Sequence, residues 1–131
     1  MPVQGIIIAH ANLAQALIST VEQIAGRQED LCAISNTELS NEDLDRTLRE
    51  CLAGGQPVVF FTDFNAGSTY AVARRVVDSH CQISGTPCCA LTGVNLPMLL
   101  SFVMKRDTMP FLALTEALRE DGHRGIQKTP C

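Results

Sequence analysis

The sequence predicts an α/β fold: a three-layer, doubly wound, mostly parallel sheet with helices on both faces. Two observations carry this. Short apolar runs of strand length alternate along the whole chain with longer segments whose apolar residues recur at helical spacing. The runs Val3–His10 and Pro57–Thr62 are apolar almost throughout, as strands covered on both faces must be. Strands separated by helices imply right-handed crossovers. For four or five such strands the natural order is 2-1-3-4, which sets strand one beside strand three at the topological switch point.

Each element follows from local residues. Residues 3–10 form the first strand. Asn12 is a candidate cap for a helix bearing Leu13, Leu17, Val21 and Ile24, and Gly26 ends it. Leu31–Ser35 is a second strand. Ser40-Asn41-Glu42-Asp43 is a capping-box variant opening a helix with Leu44, Leu48 and Cys51 on one face. Gly54-Gly55 stops that helix. Pro57–Thr62 is the third strand, and Ser68 is a candidate cap for a helix bearing Val72, Val76 and Val77. Cys88–Thr92 is the fourth strand and Gly93-Val94-Asn95 a turn. Leu96 to about Arg106 is a helix with Pro97 in its first turn. Pro110–Asp121 is another, aligning Phe111, Leu114 and Leu118. Gly122–Lys128 reads as a last short strand.

Composition bounds the function. A chain of 131 residues predicts one domain over 1–131, burying about two thirds of its unfolded surface. With 46% apolar and 18% charged residues the chain is globular rather than disordered. A net charge of −4 without a Lys/Arg cluster argues against nucleic acid. No apolar run reaches bilayer-spanning length, and no signal peptide is evident, so a cytosolic protein is expected. None of the six cysteines forms a C-x-x-C pair, and they read as reduced thiols packed as small apolar groups. Cys88 and Cys89 point to opposite faces of a strand, a poor fit to one metal. His80 and His123 read as surface residues near helix ends, and the methionines as core.

The chemistry concentrates at the carboxyl ends of strands one and three. His10 follows the first, and Asp63 to Ser68 follows the third, so the two loops face each other across one crevice. A neutral imidazole offers one nitrogen lone pair as a nucleophile. A carboxylate that accepts the hydrogen of the other nitrogen fixes the tautomer, the role open to Asp63. Helix N-termini after Asn12 and Ser68 offer unpaired N–H groups to an anion, and Gly67 lets backbone approach closely. Together these residues suit a histidine that carries a phosphoryl group. Each also has a plainer reading: a strand-end His as a packing residue, Asp63 as a turn former, Gly67-Ser68 as an ordinary helix start. No nucleotide loop and no metal-ligand cluster is visible, so no cofactor is expected.

Three segments extend the argument. Gly5-Ile6-Ile7-Ile8-Ala9-His10, Thr62-Asp63-Phe64-Asn65-Ala66-Gly67-Ser68 and Gly93-Val94-Asn95-Leu96-Pro97-Met98-Leu99 together resemble the mannose-family IIA component of the bacterial phosphoenolpyruvate-dependent sugar phosphotransferase system. A late pattern, His123-Arg124-Gly125-Ile126, agrees. The resemblance implies that His10 takes a phosphoryl group from the carrier protein HPr and passes it to a IIB component, which phosphorylates a sugar. It implies Asp63 as the partner of His10, and Gly67 and Ser68, with Asn12, as phosphate-binding residues. It also implies a homodimer exchanging a final antiparallel strand, with membrane contact only through the transporter. The chain departs from the family pattern at Ala11-Asn12, Asn65, Ala66 and Thr69, where the family commonly has a small pair, an apolar residue, glycine and proline. An alternative output is regulation of a partner by the phosphorylation state. A third, the phosphocarrier subunit of a dihydroxyacetone kinase, is disfavoured by the Gly93–Met98 stretch.

Overall fold

A computed structural model describes residues 2–131. Four strands, β1 (Gln4–Ala9), β2 (Leu31–Ser35), β3 (Val58–Thr62) and β4 (Cys88–Thr92), form one parallel sheet in the order β2-β1-β3-β4. Five helices connect or follow them: α1 (Leu13–Ala25), α2 (Asn41–Leu52), α3 (Ser68–Ile83), α4 (Leu96–Lys105) and α5 (Phe111–Arg124). The expected parallel 2-1-3-4 sheet is therefore present.

Alternation along the central strands divides the core. Ile7, Ala9, Val59 and Phe61 face one side, where they meet Ala14, Ile18 and Val21 of α1, Leu99 and Phe102 of α4, and Leu114 and Leu118 of α5. Ile6, Ile8, Val58 and Phe60 face the other, against Leu44, Leu48 and Leu52 of α2 and Val72, Ala73 and Val76 of α3. All five residues of β3 are buried, which explains their continuous apolar run.

Several local expectations need correction. The buried face of α1 is Ala14, Ile18 and Val21, while Leu13 and Ile24 are exposed. The apolar stripe of α1 is wide, and the helix turns the small Ala14 rather than Leu13 toward the core. In α2 Cys51 packs, half-buried, against the same core cluster as Leu44 and Leu48, and Leu52 is buried with them. Asn12 occupies the cap position of α1 without a side-chain hydrogen bond. Gly67, not Ser68, precedes α3, so Ser68 is its first helical residue and caps nothing. Met104 is exposed rather than in the core.

The segment Gly122–Lys128 is not a strand. Helix α5 continues to Arg124, closed by the Gly125 N–H bonding the Asp121 carbonyl at 3.1 Å, and residues 126–131 form neither helix nor strand. A strand needs a ladder partner, and among the described residues the segment meets none. Of the cysteines, only Cys88 is buried, while Cys32, Cys81 and Cys131 are exposed, contrary to uniform packing inside. Burial pushes the Cys88 thiol up to about 12 and also raises Cys89.

The specific stretch Gly93–Met98 has a structural explanation. The Asn95 carboxamide accepts from the Met98 N–H at 2.9 Å, capping α4, and donates to the Gly122 carbonyl at 2.9 Å, tying α4 to α5. Gly122 permits that approach, since a Cβ there would lie 2.8 Å from the Met98 methyl carbon.

Candidate active site

The sheet register builds the site. Ile8 of β1 pairs with Thr62 of β3, so the chain leaves both strands at the same sheet end, and His10 and Asp63 emerge side by side. Asp63 Oδ2 lies 2.7 Å from His10 Nδ1 and also accepts the His10 backbone N–H at 3.0 Å. Its other oxygen, Oδ1, accepts the Phe64 N–H at 3.0 Å. A carboxylate at that distance requires the proton on Nδ1, which leaves the lone pair on Nε2. The imidazole side chain is 56% exposed while the Asp63 side chain is only 10% exposed, so the carboxylate is inside and the imidazole faces solvent. Burial pushes the Asp63 carboxyl up, but the hydrogen bonds from the His10 ring and backbone outweigh it, and the group titrates below the usual carboxylate value.

The residues around the imidazole complete its frame. Phe64 sets its ring 5.4 Å from the imidazole, centroid to centroid, tilted by 35°. That ring in turn rests on Gly67, where a Cβ would come within 3.2 Å of it. Asn36, just beyond β2, brings Nδ2 to 3.5 Å from His10 Nδ1 and donates to Thr69 Oγ1 at 2.7 Å. Ala11 follows with a φ of +51°, a left-handed conformation that costs a residue with a Cβ about 1–2 kcal/mol. The Thr37 hydroxyl accepts the Ala11 N–H at 3.1 Å and holds that turn.

The crevice therefore offers an exposed nucleophilic nitrogen, a charged anchor behind it, and the start of α3 beside it. Backbone N–H groups in the first turn of a helix lack intrahelical partners and attract anions. The arrangement has the chemical means to hold an anionic group on Nε2.

A model of the family described as PTS system fructose IIA component, EIIA-man, matches residues 5–119. The chain belongs to this family. This IIA-family chain is 30% identical over 135 residues to the PTS system mannose-specific EIIAB component of Escherichia coli strain K12, an alignment covering 97% of the chain. It spans 39% of that relative's length. The crystal structure of phosphotransferase system component EIIA from Streptococcus agalactiae superposes with a TM-score of 0.86 at 25% identity, covering 96% of each chain. The fold extends to more distant proteins. The mannose/sorbose-specific IIA subunit from Enterococcus faecalis matches with a TM-score of 0.80 at 18% identity, over 100% of this chain and 97% of that one. A sigma-54 interaction domain protein, also from Enterococcus faecalis, matches with 0.76 at 11%, over 95% and 93%.

Of the residues expected at the site of this IIA protein, His10 and Asp63 are in direct contact, and Gly67 joins them through the Phe64 ring. Asn12 and Ser68 stand exposed at the starts of α1 and α3. Sequence reasoning missed Asn36, Thr37 and Thr69. The signal for Asn36 and Thr37 was their place immediately after β2, whose carboxyl end adjoins that of β1. Thr69 carried no signal beyond its departure from the family's proline. No helix among the described residues is long and apolar enough to cross a membrane.

Proposed function

We propose that this chain is a phosphocarrier in which His10 Nε2 accepts a phosphoryl group from a phosphohistidine of HPr and gives it to a IIB component. The observation that carries the reading is the 2.7 Å contact between His10 Nδ1 and Asp63 Oδ2, which commits one ring nitrogen and leaves the other exposed. In the transfer the Nε2 lone pair forms a new N–P bond as the donor's P–N bond breaks. The donor ring, protonated on its other nitrogen, recovers the electron pair and leaves as a neutral imidazole. The phosphorylated His10 ring is then cationic, and Asp63 balances that charge. Positioning and charge stabilisation supply most of the catalysis.

Gly67, Ser68 and Asn12 cradle the phosphate through the N-termini of α3 and α1. Residues 1–131 form one IIA domain, which works in the cytosol and meets the membrane only through its transporter partners. It acts as a homodimer in which the segment after α5 pairs antiparallel with the outer edge of β4 in a second copy. Support for this pairing is that, among the described residues, β4 is hydrogen-bonded to β3 alone, and that Ile126 of the segment after α5 is 73% exposed.

The test is reconstitution. Incubated with phosphoenolpyruvate, enzyme I and HPr, the protein should gain one acid-labile phosphate, and His10→Ala should gain none while remaining folded. Labelling that persists in His10→Ala refutes the assignment. Labelling without onward transfer to any IIB component favours a regulatory output instead.

A further inference from the structure

We propose that Asn36, held by Thr69, is a positioning residue for the His10 imidazole. This rests on His10 being the phosphoryl acceptor. Asn36 is anchored at both ends. Its backbone N–H bonds the Ala9 carbonyl at 3.0 Å, carrying the β1–β2 pairing one residue past β2. Its side-chain Nδ2 donates to Thr69 Oγ1 at 2.7 Å, and Thr69 is 3% exposed in the first turn of α3. The carboxamide thus bridges the end of β2 to the start of α3, across the end of β1 that bears His10. On the way its Nδ2 passes 3.5 Å from Nδ1.

The Nδ1 hydrogen is already given to Asp63, so Asn36 makes no competing bond with it. What Asn36 contributes is a wall. An imidazole that is 56% exposed has several rotamers open to it, and only one keeps Nδ1 on Asp63 with Nε2 outward. A planar amide fixed at its tip by a buried hydroxyl removes space from the others. Near-attack geometry is unforgiving: a displacement of about 1 Å costs on the order of 10²-fold in rate. Where the family pattern has proline, Thr69 supplies the hydroxyl that fixes the amide.

The experiment compares Thr69→Val, Thr69→Ser and Asn36→Ala. Two readouts are used: steady-state phosphorylation by phospho-HPr, and the imidazole 15N spectrum of the unphosphorylated protein. Thr69→Val should lower kcat by about 2- to 10-fold, the range one neutral hydrogen bond supports, with KM for phospho-HPr unchanged. Its His10 ring signals should lose the single Nδ1–H tautomer pattern. Thr69→Ser should restore both. Asn36→Ala should match Thr69→Val, and the double variant should be no worse than Asn36→Ala alone. An unchanged kcat and ring spectrum in Thr69→Val and Asn36→Ala, or losses that add in the double variant, would overturn the proposal. If wild-type protein takes no phosphate at His10, the acceptor reading falls instead, and the ring spectra alone still decide whether Asn36 orders the imidazole.

Discussion

Asp63 Oδ2 receives two hydrogens from one residue, the Nδ1–H of His10 at 2.7 Å and its backbone N–H at 3.0 Å. The pair of bonds ties the ring to its own main chain through a carboxylate on the neighbouring strand end. Rotation of the ring therefore breaks a charge-assisted bond, and movement of the loop breaks a second. Because the carboxylate is mostly covered and the imidazole is not, the link orients the ring without hiding it.

Asp63→Asn keeps the shape and removes the charge that, in the proposed transfer, balances a phosphorylated ring. Its phosphorylation rate should fall at least about tenfold, bounded by the roughly 10⁴-fold loss known when an orienting carboxylate is neutralised beside a catalytic histidine. Rapid-quench labelling measures the rate, and circular dichroism checks that the fold is intact.

Gly67→Ala tests the support behind Phe64. The backbone at Gly67, with φ −89°, accepts alanine, but the new Cβ would sit 3.2 Å from the aromatic ring. The ring must shift away from its contact with His10. Stability should drop by no more than about 1 kcal/mol, as for replacing a favourable residue at a helix cap, while phosphorylation slows. Denaturant titration and labelling separate the two effects.

The site was legible in outline because strand order alone brings two loops together. Val3–His10 and Pro57–Thr62 read as buried strands from their nearly continuous apolar runs, and the 2-1-3-4 order alone makes His10 and Asp63 neighbours. What escaped depended on contacts made at a distance. Asn36 matters only because its side chain reaches Thr69, 33 positions away. Ser68 gave up the cap role because Gly67 holds the extended conformation just before α3. Gly122–Lys128 holds Ile126 as its one β-branched residue, and pairing is in any case a property of two edges and not of one segment.

Acid stability should have an identifiable component in Asp121. Hydrogen bonds from Lys105 at 2.5 Å and Ser101 at 2.6 Å hold its carboxyl at about 2, against an ordinary 3.8. The folded value lies below the unfolded one, so its contribution is present above about pH 4 and is lost as pH falls toward 2. In Asp121→Asn the unfolding free energy should be lower at neutral pH and depend less steeply on pH in that window. Urea titrations across the range measure both.

Asn95→Ala removes the α4 cap and the bond to Gly122 together. The expected cost is about 1–3 kcal/mol of stability, from one lost cap and one unsatisfied carbonyl. Thermal unfolding measures it. An unchanged midpoint would mean that water replaces both bonds.

The central claim is that Nε2 of His10 carries the phosphoryl group because Asp63 occupies Nδ1. Phosphorus–nitrogen and proton–nitrogen correlation NMR on 15N-labelled, phosphorylated protein reads the bonded nitrogen directly. The account predicts coupling from phosphorus to Nε2 of His10, with Nδ1 still bearing a hydrogen. Phosphorus coupled to Nδ1, or to any other residue, would contradict it.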